Sequence, residues 1–135
     1  MNWSFHVEPG GLVWPEPGAH GPQLKDALWD CVSSLSPRGQ EPKLSTYWID
    51  RALTGLSSGR SGDFVIASGN AWSLLRSGDE VVVRFDYGDE DDEHETVPAT
   101  ELVAGLTAYR EAVVRAIEDG RQLDDRWWAQ RNPPD

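Results

Sequence analysis

The sequence predicts an α+β fold: a three- to four-stranded antiparallel β-meander packed against a long C-terminal helix and two shorter N-terminal helices. Three observations predict it. Apolar residues recur at helical spacing twice before residue 60. Between 62 and 97 the period drops to two, with turn residues between the runs. From 98 to 119 the helical period returns and persists longest. With 135 residues the chain is expected to be one domain, 1–135.

Residues 2–7 open the chain with an alternating run that sets Trp3, Phe5 and Val7 on one face of a strand. Residues 8–22 hold four prolines and four glycines, so that stretch is expected to be irregular. Pro22 suits the first position of a helix, and Leu24, Leu28, Val32 and Leu35 form its apolar stripe before Pro37 and Gly39 end it. A second helix starts near Ser45 or Thr46, either of which suits a cap, and groups Trp48, Ile49, Ala52, Leu53 and Leu56.

From Gly62 the chain reads as strands. Phe64 to Ser68 alternates, Gly69-Asn70 suits a two-residue type II′ turn, and Ala71–Arg76 returns. Ser77-Gly78-Asp79 marks another turn. Glu80–Tyr87 follows with Val81, Val83 and Phe85 on one face, and Glu95–Val97 makes a short fourth strand. In the final helix Leu102, Leu106, Tyr109, Val113 and Ile117 recur every three to four residues, and Gly120 ends it. The tail, 120–135, is polar apart from Leu123, Trp127 and Trp128.

The charge is unevenly placed. The net charge is −11, and residues 86–95 (Asp-Tyr-Gly-Asp-Glu-Asp-Asp-Glu-His-Glu) contribute seven carboxylates and no Lys or Arg; without those seven the chain would carry −4. Such a field repels nucleic-acid backbones and anionic membranes. It favours a cationic protein partner and speeds its capture. Asp89, Asp91, Asp92 and Glu93 are the contact candidates. The plainer alternative is a solvated loop that keeps a sheet edge from pairing with another sheet. Trp14, Trp127 and Trp128 lie outside the amphipathic elements. They either fold back to close the core or stand exposed as anchors for another chain, with Trp127 and Trp128 as the anchor candidates.

No catalytic, metal-binding or cofactor motif emerges. The acidic run lacks the glycine and the final glutamate of a calcium loop. Gly55-Leu56-Ser57-Ser58-Gly59 matches G-x-S-x-G, but a helix precedes it and a strand follows, the reverse of the order that strains a nucleophilic serine outward. His6, His20 and His94 fall in three separate segments, with no second ligand at metal spacing. Cys31, the only cysteine, reads as a small buried hydrophobe and implies a reducing, cytoplasmic setting. The N-terminus has no signal-peptide pattern, and no stretch reaches bilayer-spanning length.

One resemblance adds to this. Gly69-Asn70-Ala71-Trp72, then Gly78-Asp79-Glu80-Val81-Val82-Val83, an acidic turn, and Glu95-Thr96-Val97-Pro98-Ala99-Thr100-Glu101-Leu102 opening a long helix resemble the small α+β immunity-type proteins of bacterial polymorphic-toxin systems. It covers about residues 62–118. It implies a cytoplasmic, non-enzymatic inhibitor of a toxin domain, and no functional residue carries over with it. The expectation is therefore an acidic, protein-binding, non-enzymatic domain. Two alternatives stand beside it: a structural or oligomerising domain, and an enzyme using the carboxylates with a divalent metal, in which Asp86 or Glu95 would meet His6 or another acid in a pocket.

Overall fold

A computed structural model of the chain describes residues 3–18, 21–60, 62–89 and 94–127. It opens with a two-stranded antiparallel hairpin, β1 (Trp3–Val7) and β2 (Val13–Pro17), followed by helices α1 (Pro22–Cys31) and α2 (Tyr47–Leu56). Four strands come next: β3 (Phe64–Ser68), β4 (Trp72–Ser77), β5 (Glu80–Phe85) and β6 (Glu95–Pro98), in the order β3-β4-β5-β6 with every pairing antiparallel. The last helix is α3 (Ala99–Glu118). The fold is thus α+β, with a four-stranded meander and a long C-terminal helix.

Three layers result. Leu74, Val81, Val83 and Val97 line the inner face of the four-stranded sheet and are fully buried. Against them lie α1, through Leu24, Ala27 and Leu28, and α3, through Leu102, Leu106, Tyr109 and Val113. The β1–β2 hairpin closes the far side over α1 and α3. The opposite face of the sheet carries one lateral row, Val65, Leu75, Val82 and Thr96, that faces away from this core. The core is continuous and built mainly of aliphatic side chains, as the hydrophobic effect requires of a domain this size.

Four expectations need correction. Residues 8–22 are not all irregular, because Val13-Trp14-Pro15-Glu16-Pro17 forms β2. Pro15 and Pro17 are two apart, so the N–H groups this strand donates come from Trp14 and Glu16, and the ladder with β1 survives. Helix α1 ends at Cys31, and Val32 to Leu35 continue as buried extended chain, with Leu35 bridging Leu44. The Gly69-Asn70 turn is not type II′, since Gly69 does not take the positive φ that turn demands. Ile117 is 44% exposed; Ala116 takes the last inward position of α3.

Tyr109 ties the layers together. Its ring is fully buried and stacks on Phe5 at 5.7 Å between centroids, and its hydroxyl donates to the Val13 carbonyl at 2.8 Å. Ser34 donates to the same carbonyl at 2.9 Å and accepts the Val13 N–H at 3.0 Å. These bonds satisfy buried groups that would otherwise cost about 1–3 kcal/mol each. The end of the chain also folds inward. The Asp124 N–H donates to the Gly10 carbonyl at 2.9 Å, and the indole of Trp127 packs against the core cluster.

Candidate functional site

The acidic segment is built from its two anchored ends. At the first end β5 finishes at Phe85 and the chain turns at once, the Gly88 N–H donating to the Phe85 carbonyl at 3.1 Å. The Asp86 N–H donates to the Ala71 carbonyl at 2.7 Å. The Asp86 carboxylate accepts the Ser73 hydroxyl at 2.8 and 3.1 Å, with the Arg84 guanidinium 3.4 Å away. Asp86 is therefore a structural acid, fixing the exit of the strand.

At the second end Glu95 reaches across the molecule. Gly21 stands in the capping position before α1 and has no side chain with which to cap the helix. The Glu95 carboxylate takes that role, accepting the N–H groups of Gly21 at 3.1 Å and Leu24 at 3.3 Å. The Glu95 N–H donates in return to the Gln23 side chain at 3.1 Å. A carboxylate here satisfies orphan donors and complements the helix dipole. So the two terminal carboxylates of the run hold the fold, and the other five, at 89–93, stand between them in the sequence. Of these Asp89 is exposed. Asp91, Asp92 and Glu93, the other contact candidates, lie outside the described residues.

Three aromatic rings sit at the first end. Trp72 and Phe85 are cross-strand partners with centroids 5.2 Å apart, and Phe85 meets Tyr87 edge-on at 5.8 Å. The row runs from core to solvent: Trp72 is half-buried, Phe85 is 41% exposed and Tyr87 is 76% exposed. Phe85 shares the inner face with Val81 and Val83, as its spacing predicts, but lies beyond the cover of the helices. The Tyr87 hydroxyl lies 3.4 Å from the Asn70 carbonyl, which joins the β5 exit to the β3–β4 turn.

That turn is held from below. The Asp30 carboxylate accepts the N–H groups of Asn70, Ala71 and Trp72 at 2.9–3.0 Å. A Cβ on Gly69 would collide with Asp30, so the glycine is required by close approach and not by φ. The Cys31 thiol, beneath the turn, donates to the Trp72 carbonyl at 3.2 Å. Burial, then the nearby Asp30 and Asp86 charges, raise the thiol pKa well above its ordinary range. The group stays protonated and lacks the thiolate character of a nucleophile.

The sequence singled out Trp127 and Trp128 as possible anchors. Trp127 is half-buried against the core, the fold-back arrangement of the two weighed above, and Trp128 lies outside the described residues. Trp14 is buried in β2, with its ring 5.1 Å from that of Trp29. Tyr87 and Phe85 were not singled out. Their signal was legible as an aromatic pair flanking the first carboxylate of the run.

His6 pairs with Glu8 at 2.7 Å and Glu16 at 3.2 Å, apart from the partners of Asp86 and Glu95. Among the described residues no three His, Cys, Asp or Glu side chains gather as metal ligands. The G-x-S-x-G stretch is the end of α2, with Ser57 capping it. No helix among the described residues is long and apolar enough to cross a membrane. Comparison with family models, curated proteins and solved structures finds no match to this chain.

Proposed function

We propose that the chain is a non-enzymatic protein-binding domain that captures a basic protein through the rim formed by Phe85, Tyr87 and the 86–95 connection. The observation that carries this reading is Tyr87, a ring 76% exposed yet ordered in an aromatic row and placed inside a run of carboxylates. A large amphipathic ring beside acids suits an arginine or lysine, which stacks on the ring and pairs with the carboxylates. The carboxylates supply long-range attraction, and the ring supplies contact area once the partner has arrived. The likeness of residues 62–118 to immunity-type proteins supports the specific form of this reading: neutralisation of a basic toxin domain in the cytoplasm.

Stopped-flow association with basic nuclease domains tests it, beginning with any toxin-like product encoded beside this chain. Replacing Asp89–Glu93 with serine should slow association about tenfold or more at low salt and little at high salt. Tyr87→Ala should speed dissociation while leaving the on-rate near its original value. A tight complex indifferent to both variants, or turnover of a substrate by the chain alone, contradicts the proposal.

A further inference from the structure

Helix α2 closes on β3 at Gly55. A Cβ there would stand 3.4 Å from the Ile66 side chain and 3.6 Å from the Ile66 Cα and carbonyl oxygen. At that point helix and strand are in contact and leave no room for a third element. Toward the start of α2 the side chains become large, Arg51 and then Trp48, and a cleft opens between them and the strand. Its first lobe, about 230 Å³, is lined by Trp48, Arg51 and Ala52 on the helix side and by Val65 to Ser68 on the strand side. Its second lobe, about 240 Å³, continues past Ser68 to Asn70 and is bounded by Ser33 and Arg38. Trp48, Cys31 and Ser68 line both, so the lobes form one space. Either lobe alone is smaller than the roughly 300 Å³ at which ligand pockets begin, and joined they reach that range.

Charge selects the occupant. Residues 32–68 hold Arg38, Lys43, Arg51 and Arg60 against Glu41, Asp50 and Asp63, a net +1 in a chain of −11. Arg38 and Arg51, one in each lobe, form no ion pair among the described residues. Asp50, next to Arg51 in sequence, is taken by Arg110 at 2.7 Å. Asp30 borders the second lobe, but both of its oxygens accept N–H groups of the β3–β4 turn. The uncommitted charge of the cleft is therefore positive, at two separate points. Between those points stands the Trp48 indole, with Tyr47 edge-on at 4.9 Å and the Arg51 guanidinium over its ring at 5.8 Å.

We propose that this cleft binds a small organic dicarboxylate, with one carboxylate on Arg51 in the first lobe, the other on Arg38 in the second, and the hydrocarbon between them against Trp48. Guanidinium–carboxylate pairing fixes the orientation of each end, and the indole with the Ala52, Val65 and Ile66 side chains supplies apolar contact for the middle. The site is separate from the acidic rim and does not depend on what the rim binds.

Calorimetric titration of the full chain with the α,ω-dicarboxylates from succinate to suberate, at constant ionic strength, tests this. Saturable binding strongest at one chain length is expected, because two cations held on separate elements select one span. Amide chemical-shift changes should concentrate in residues 31–38, 48–52 and 65–70. The monocarboxylate of matching length should bind about tenfold more weakly, and Arg38→Gln and Arg51→Gln should each weaken the dicarboxylate to a similar degree. No saturation by any member of the series up to about 10 mM, equal binding of the monocarboxylate, or indifference to either arginine overturns the proposal. An equal response to sodium sulfate, or shift changes spread over the whole surface, marks a nonspecific anion effect and overturns it as well. Both arginines are exposed, so a matched far-UV spectrum shows that each variant has folded.

Discussion

Glu95 shows how one side chain can belong to an acidic patch and to the framework at once. It caps α1 from 74 residues away and receives no substitute from Gly21. Glu95→Ala should therefore lower stability by about 1 kcal/mol, read as a lower urea midpoint at unchanged slope. Tyr109 gives a pH prediction. Burial raises its hydroxyl pKa well above the ordinary 10.0. The unfolded chain ionises near that ordinary value while the folded chain keeps its proton, so the folded state binds more protons. Stability should be intact below about pH 8 and fall as pH rises, first as the unfolded Cys31 thiol ionises near 9.0 and then more steeply past 10 as Tyr109 does. Urea titrations from pH 7 to 11 measure this, and Tyr109→Phe should flatten the decline.

At the scale of elements, packing overrides local preference. Gly105 sits in the middle of α3, where glycine costs about 1 kcal/mol relative to alanine. It is there because the Trp3 indole of β1 lies directly against it, leaving no room for a Cβ. Gly105→Ala should thus destabilise by about 1–3 kcal/mol despite its better helix propensity, with the loss visible as a red-shifted tryptophan emission when Trp3 is displaced. The β2 strand shows the same principle. Two prolines argue against a strand locally, yet an edge position lets both be accommodated. Helix α1 stops at Cys31 although its apolar stripe runs on to Leu35, because Ser34 must meet Val13 in extended chain.

Over the whole molecule, charge is polarised between the 86–95 connection and the 32–68 stretch. Residues 86–95 crowd seven carboxylates into ten positions with no Lys or Arg, so the folded state carries a self-repulsion that salt relieves. The melting temperature should rise by a few degrees between about 10 and 150 mM sodium chloride, and by less when Asp89–Glu93 are replaced with serine. Scanning calorimetry at the two salt concentrations distinguishes this from a general salt effect.

The order and type of the later elements were legible because their periods are uninterrupted. Val81 and Val83 alternate, and Leu102 to Val113 keep helical spacing, so each element declared its buried face before any partner was known. The acidic run was legible as a charge, but its division of labour was not. Nothing local distinguishes Glu95, which caps a distant helix, from Asp89, which is exposed. The Gly69 turn was misread for the same reason: its glycine answers to Asp30, brought there by α1. What the chain alone determined was periodicity, turn positions and net field, which depend on neighbours a few residues apart. What only the tertiary structure decided was which acids are framework and which rings reach solvent, since these depend on contacts between residues far apart in sequence.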